Sequence, residues 1–338
     1  MNPSSHAQNA TARATWPAVS VIMPVLNEER HLAEAVRGIL AQDYPGELEL
    51  VLAVGPSKDR TQEIAEKLAA DDPRVIVVAN PSGRTPQGLN IAVKASQYSI
   101  VVRVDGHSLL PPDYVRVAVE TMEETGADNV GGIMAAEGVT PFEKAVARAM
   151  TSKIGVGSAP FHVGGGAGEV ETVYLGTFRR SALDRVGGYD ETYARAQDWE
   201  MNHRIRRTGG KIWFTPRMRV TYRPRPTLQA LARQYFVTGR WRRVVGREHQ
   251  GTLNVRYLAP PVTVIAIAIG IIAGAAGLWP GWLLPGGYAA AMVAGAALTG
   301  RGLPPSAWVR LPLVYATMHL SWGCGFLTSP RGLGQTKP

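Results

Sequence analysis

At 338 residues, 45% of them hydrophobic, the chain is long enough for one large domain or two smaller ones around a sizeable core. Its single cysteine, Cys324, excludes an internal disulfide and any cysteine-built zinc site. The net charge of +9 is unevenly spread: residues 203–247 hold thirteen Lys or Arg and no Asp or Glu, and residues 257–300 hold no charged side chain at all, which points to an anionic partner beside a membrane.

In chain order, residues 1–17 read as a disordered polar tail without the apolar run of a signal peptide, so the bulk of the chain is expected to stay in the cytoplasm. Val19 to Pro24 is a short apolar strand followed by the polar turn Val25-Leu26-Asn27-Glu28-Glu29. Leu32, Val36, Ile39 and Leu40 give His31 to Gln42 helical spacing. A second strand, Leu48 to Val54, leads through Ser57 and Asp59 into a helix from Thr61 to Ala70. A third strand at Val75 to Val78, a loop to Pro86 and a helix from Gln87 to Ala95 precede the central stretch, Ser99 to His107. That stretch predicts a buried strand ending at Asp105-Gly106-His107. The alternation of strand and helix predicts an α/β fold, a mostly parallel Rossmann-like sheet with helices on both faces.

Ligands bind at the carboxyl ends of strands in such sheets, so Asp105 and His107 form a candidate dication site; a plain Asp-Gly turn is the alternative. Arg103, inside the apolar strand, must be paired or used. Further on, Tyr114 to Glu124 is a helix, Asn129 to Ala135 a strand and Phe142 to Ser152 a helix. The glycine-rich loop Val163 to Glu169 lacks P-loop spacing and suits a flap, or a plain linker. Glu171 to Phe178 is a strand, followed by a helix ending at Gly187-Gly188. Gln197 begins a helix whose Asp198 is either a capping anion or a catalytic carboxylate, while Glu200 is expected to pair with a nearby arginine. Ile212–Phe214 and Met218–Tyr222 read as two short strands that end a domain spanning residues 18–226.

Residues 227–256 carry Arg233, Arg240, Arg242, Arg243 and Arg247 among Tyr235, Phe236 and Trp241, the profile of an interfacial helix on anionic lipid. Nucleic acid is the rival partner, and the adjoining apolar tail favours lipid. Residues 257–328 supply two candidate spans, Leu258–Leu278 and Leu283–Leu298, and a third, Leu311–Leu327, that spans or re-enters; 329–338 form a tail. Arg301 and Arg310 bracket the loop before the third segment, so the positive-inside rule predicts a multi-pass protein of a bacterial-type inner membrane with its catalytic domain facing the cytoplasm.

Four motifs stand in order: Pro24-Val-Leu-Asn27-Glu28, Ser57-x-Asp59-x-Thr61, Asp105-x-His107 and Gln197-Asp198-Trp199-Glu200. Together they resemble the family 2 glycosyltransferases of GT-A type, and by pattern the membrane-attached enzymes of succinoglycan and other exopolysaccharide synthesis. The resemblance implies a nucleotide-sugar donor held by Pro24, Asn27, Glu28, Ser57, Asp59, Arg84, Asn90, Arg103 and Asp105. It implies a metal, Mn²⁺ or Mg²⁺, on Asp105 and His107, with Mn²⁺ favoured because imidazole suits it better. Asp198 would be the base of an inverting transfer, and Trp199 would stack on the acceptor sugar. Arg240-Trp241 resembles the diphosphate grip of processive members, but Gln234 precedes Arg240 by six positions instead of three, so processive polymerisation is not implied. The family's second strand commonly ends in a base-contacting Asp, where this chain has Ala53-Val54-Gly55-Pro56-Ser57. The expected acceptor is lipid-linked or polysaccharide, at the membrane. Two rivals stand beside this reading. A nucleotidyltransferase would need a glycine-rich basic loop near the first strand, which Pro24 to Glu29 lacks, and the other rival is an inactive membrane scaffold.

Overall fold

The computed structural model describes residues 16–334, so most of the expected N-terminal tail and the last part of the C-terminal one lie outside the described residues. Four parallel strands, β1 (Val19–Val25), β2 (Leu48–Val54), β3 (Val75–Ala79) and β4 (Ile100–Arg103), stand in the order β3-β2-β1-β4. Their crossovers are α1 (Leu32–Leu40), α2 (Thr61–Asp71) and α3 (Thr85–Ala95). Successive residues of a strand face opposite sides, and here both sides are covered. Val21, Met23, Leu50 and Leu52 pack with α1 on one face. Ile22, Val51 and Ala53 pack with Leu89 and Ala92 of α3 on the other. This double burial explains why β1 and β2 read as continuous apolar runs.

The second half comprises α4 (Tyr114–Thr125), β5 (Asn129–Ala136), α5 (Pro141–Met150), single-turn α6 (Lys153–Val156) and α7 (Pro160–Val163), β6 (Gly168–Glu169), β7 (Tyr174–Arg179), α8 (Arg180–Val186), α9 (Gln197–Arg207) and β8 (Ile212–Tyr222). The start of α5 is fixed by a capping box, in which Thr140 Oγ1 accepts from the Glu143 amide at 3.2 Å and Glu143 accepts from the Thr140 amide at 2.9 Å. The eight strands form one sheet, β3-β2-β1-β4-β7-β5-β8-β6. The expectation of a mostly parallel sheet holds, with β1 to β5 and β8 running one way; the exceptions are β7, antiparallel to both β4 and β5, and β6, antiparallel to β8. A parallel return needs a crossover across the sheet. After β5 the chain instead spends α5 packing on C-terminal helices. The two short strands expected after Gly210 are one strand, β8, whose register with β5 shifts between Gly131 and Ile133, close to Pro216, which cannot donate to a ladder. Part of the glycine-rich loop is likewise ordered as β6, paired with Trp213 and Phe214.

The C-terminal part holds α10 (Leu228–Glu248), α11 (Val255–Ala275), a 3₁₀ turn at Trp279–Trp282, α12 (Leu283–Thr299), α13 (Pro305–Trp308) and α14 (Leu311–Leu327). Val255–Ala275 and Trp279–Thr299 are each long and apolar enough to cross a membrane, and Ile269, Ile272, Trp279 and Leu298 project from them exposed. The third apolar segment differs. Leu311, Val314, Tyr315, Met318 and Phe326 of α14 are buried, and the helix packs along α10. Gly239 of α10 sits against the backbone at Trp322, and Gly325 of α14 against the backbone at Phe236, so the two helices approach with no side chain between them. The basic helix therefore does not lie free on a lipid surface. Arg242 is only 5% exposed, Arg247 donates to the Ser329 and Pro330 carbonyls at 2.7 Å, and Arg243 sits 4.8 Å above the Phe326 ring.

Candidate active site

The carboxyl end of β4 gathers the charged groups of the sheet's centre. Arg103 is 4% exposed, and its guanidinium donates to Asp105 Oδ1 at 3.1 Å and, from its other terminal nitrogen, to Asp198 Oδ1. Burial works against its charge, yet the Asp105 carboxylate outweighs that and holds Arg103 above the usual arginine range. Asp198 lies in the first turn of α9, where an anion is favoured by the helix dipole. One cation thus joins the expected donor-side acid to the expected base, 93 positions further along the chain.

Beside it, His107 Nδ1 and Glu28 Oε1 are 2.8 Å apart. The hydrogen bond to Glu28 holds the imidazole above the usual histidine range. A Cβ at Gly106 would come within 3.1 Å of Glu28 Cγ, so glycine there leaves the carboxylate room. A bond at Nδ1 leaves Nε2 to face a ligand, the usual arrangement behind a metal-bound histidine. Among the described residues no three His, Cys, Asp or Glu side chains form a cage for an ion. Asp105 and His107 alone therefore suit a dication that completes its shell with oxygens from a substrate, as Mg²⁺ and Mn²⁺ do at phosphates.

The donor-side loops are laced together. Ser57 Oγ accepts from the Asn27 amide at 3.0 Å, Asn27 Oδ1 accepts from the Lys58 amide at 2.8 Å, and Thr61 Oγ1 accepts from the Glu28 amide at 2.7 Å. Asp59 accepts from the Glu29 and Thr61 amides, at 3.2 and 3.1 Å, which holds its carboxyl below the usual range together with the bond from the Thr61 hydroxyl, the largest contribution. Asn27 adopts φ +56°, a conformation that asparagine tolerates better than most residues. Pro24 ends this arrangement at the tip of β1, opposite Ala53. Arg84 and Asn90 turn to the segment after α8. Arg84 donates to the Glu191 carbonyl at 2.9 Å, and Asn90 donates to the Tyr189 carbonyl at 2.8 Å and Glu191 Oε1 at 3.0 Å.

The three residues expected on the acceptor side sit among protein neighbours. Trp199 stacks on His203, with centroids 5.3 Å apart, and carries the Arg242 guanidinium 4.1 Å from its ring, so its faces serve protein packing. Trp241 is 7% exposed and packs on Tyr193. Arg240 lies 4.4 Å over Phe236. Trp241 thus joins α10 to the loop before α9, and Arg240 packs on Phe236 of its own helix, its Nε without a hydrogen-bond partner. Glu200 pairs with Arg204 at 2.6 Å, as expected. Sequence reasoning missed the Glu28–His107 contact and the hold of Glu191 on Asn90, since residues 79 and 101 positions apart leave no local signal.

A parallel nucleotide-binding half, an acid and imidazole at the end of its fourth strand, and a second acid brought in on a later helix define a glycosyltransferase of GT-A fold. Residues 20–187 match Glycosyl transferase family 2, and the chain belongs to that family. It is 32% identical over 310 residues to the succinoglycan biosynthesis protein ExoA of Rhizobium meliloti (strain 1021), covering 90% of this chain and 93% of that one. In fold it is similar to the mannosyltransferase PcManGT from Pyrobaculum calidifontis, solved in complex with GDP-Man and Mn²⁺ (TM-score 0.64, 20% identity, 93% of this chain and 88% of that one). It is also similar to S. aureus TarS 1-349 (TM-score 0.51, 16% identity, 92% and 90%).

Proposed function

We propose that this glycosyltransferase is inverting and metal-dependent, and that it moves a sugar from a nucleotide-diphosphate donor to a lipid-linked or polysaccharide acceptor at the membrane in exopolysaccharide synthesis. The observation that carries the reading is the single buried guanidinium bonded to both Asp105 and Asp198. Asp198 takes the proton of the acceptor hydroxyl as that oxygen attacks the anomeric carbon from the side opposite the leaving diphosphate. Arg103 holds Asp198 in place and neutralises the acids that would otherwise repel the donor phosphates. The loops tied by Asn27, Ser57 and Asp59 seat the nucleoside, and Asn90 and Arg84 fix the segment that leads to α9. Asp105 and His107 would hold a dication, which when bound would supply positive charge to offset that growing on the departing diphosphate. The pairing of PcManGT with Mn²⁺ supports that assignment.

The two apolar helices and the similarity to ExoA support attachment to a membrane. Arg148 of α5 donates to the Thr299 and Arg301 carbonyls at 2.5 and 3.1 Å, so the end of α12 lies against the catalytic domain, as does the start of α11 through Arg256 and Glu171 at 3.7 Å. That favours a helical hairpin with both ends on the cytoplasmic side, and anionic headgroups against the exposed Arg233 and Arg225. No observation favours nucleic acid.

The test is nucleoside diphosphate release from a panel of nucleotide sugars by detergent-solubilised protein with Mn²⁺, with excess chelator, and with Asp198→Asn. The expected outcome is loss of release in chelator, restoration by Mn²⁺, and a fall of about 10²–10⁴-fold in turnover for the variant with donor KM within about threefold. Turnover by Asp198→Asn at the parent rate would remove the base assignment.

A further inference from the structure

Between β8 and α10 runs Arg223-Pro224-Arg225-Pro226-Thr227, the linker that joins the catalytic sheet to the basic helix. A proline fixes its own φ and disfavours helical backbone in the residue before it, so Arg225, enclosed by two prolines, has little backbone freedom to lose when a ligand binds. The linker is anchored on both sides of it. Pro224 is buried, Arg223 pairs with Glu137 at 3.7 Å, and Thr227 Oγ1 caps α10 by accepting from the Ala230 amide at 3.2 Å. Arg225 itself is exposed and, among the described residues, has no acid as a partner. Its Nε donates to Gln234 Oε1 at 3.3 Å, and Gln234 Nε2 donates to Tyr222 Oη at 3.0 Å. Gln234 is the residue whose spacing to Arg240 departs from the processive pattern, and here it holds an arginine nine positions before it. That relay steadies the guanidinium through Nε and leaves its two terminal nitrogens for a ligand.

The fold ties this linker to the end of β4. Leu109, two residues past His107, bridges Thr221 of β8, four residues before Arg225. Tyr222 meets Tyr174 of β7 edge-on, with 6.5 Å between ring centroids. The hydrogen bond to Glu28 holds the His107 imidazole above its ordinary range, and the Arg225 charge works against it, so the guanidinium lies within Coulombic reach of the imidazole. Glu28, Asp105 and Asp198 outnumber the buried Arg103 at this point. A diphosphate arriving there needs more positive charge than Arg103 supplies. A planar guanidinium with paired N–H groups matches phosphate oxygens better than any other side chain.

We propose that Arg225 is a catalytic residue whose terminal nitrogens grip the donor diphosphate, with Gln234 and Tyr222 as the positioning residues behind it. The inference rests on the reading of the protein as a nucleotide-sugar transferase. As the acceptor oxygen bonds to the anomeric carbon and its proton passes to Asp198, the bond from that carbon to the phosphate oxygen breaks and its electron pair stays on the β-phosphate. Arg225 meets the charge formed there. A lipid headgroup offers the same phosphate chemistry to an exposed arginine, and the tie between the linker and the His107 loop favours the donor.

The test is calorimetric titration of UDP, GDP, ADP and dTDP, and of their monophosphates, into the full chain with Mn²⁺, in lipid-free detergent and in phosphatidylglycerol nanodiscs. In both settings Arg225→Gln is expected to bind the preferred diphosphate about tenfold more weakly, with the monophosphate changed by less than about twofold. Arg225→Lys, which keeps the charge without the fork, should lose only about threefold, and Gln234→Ala a similar amount with its melting midpoint unchanged. Diphosphate affinity in Arg225→Gln equal to that of the parent, or an equal loss for diphosphate and monophosphate, would overturn the proposal. So would a loss confined to the nanodiscs, which would assign Arg225 to headgroups. Parent protein that binds none of the nucleotides sinks the transferase reading together with this inference, whereas a parent that binds and releases nucleoside diphosphate normally beside an unaffected Arg225→Gln sinks this inference alone.

Discussion

Arg103 is the residue on which the site's order depends. Its side chain is 5% exposed, while those of Asp105 and Asp198 are 25% and 29% exposed. Removing the cation leaves two acids facing each other with partial access to solvent, so Arg103→Met is expected to lower stability by about 3 kcal/mol, the lower end for a broken buried pair. Thermal melting in detergent measures it, and an unchanged midpoint would show that the pairing carries no energy. A second residue-scale effect belongs to His203. Burial, and then His249 and the cations Arg206, Arg207 and Arg242, push its imidazole down to about 4 from the ordinary 6.5. The folded state resists a proton that the unfolded chain accepts. Stability is therefore complete above 6.5 and lost as pH falls from 6.5 toward 4. In His203→Asn the midpoint should drop less between about pH 7 and about pH 5 than in the parent, and equal drops would refute the assignment. At this scale the sequence named Arg103, Asp105, His107 and Asp198 by type and spacing. It was silent on who pairs with whom, because Glu28 meets His107 only through the parallel pairing of β1 with β4.

Among elements, the informative pair is α10 and α14. Hydropathy reads Leu311 to Leu327 as a span because it counts apolar side chains and cannot see what covers them. Here Gly239 and Gly325 let the two backbones meet, and Tyr315 and Met318 share a core with Leu231. Gly239→Leu would force the helices apart and should cost about 1–3 kcal/mol by overpacking, with faster proteolysis after α12 as the second readout. A variant as stable as the parent would mean that the contact is dispensable. The catalytic-side elements were legible for a simpler reason. Strands buried on both faces are apolar throughout, and β2 was predicted as Leu48 to Val54, where it is found. β7 shows the opposite case, since its strand character was plain while its direction depends on the path of the chain after β5.

Over the whole molecule, α10 ties three regions together. Trp241 packs on Tyr193 in the loop before α9, Arg242 lies on Trp199 and Tyr257, and Gly239 meets α14. The catalytic helix and the apolar helices are thus braced by one element. An apolar hairpin inserted in lipid resists extraction that only breaks ionic contacts. The chain should therefore remain in the membrane fraction in about 1 M salt, where surface charge is screened within about 3 Å, and leave it in detergent. Release by salt alone would reduce the attachment to electrostatics.

The sequence by itself determined the alternation of strand and helix, the two apolar helices and the four acidic or polar motifs, because each is written in spacing within a few residues and in burial on one or two faces. Only the tertiary structure decided that the sheet is mixed, that the third apolar segment is covered by α10, that Trp199 and Trp241 are bound up in packing, and that one guanidinium joins Asp105 to Asp198. Those outcomes depend on which distant surfaces meet, and contacts across a hundred residues leave no periodicity for a reader of the chain to find.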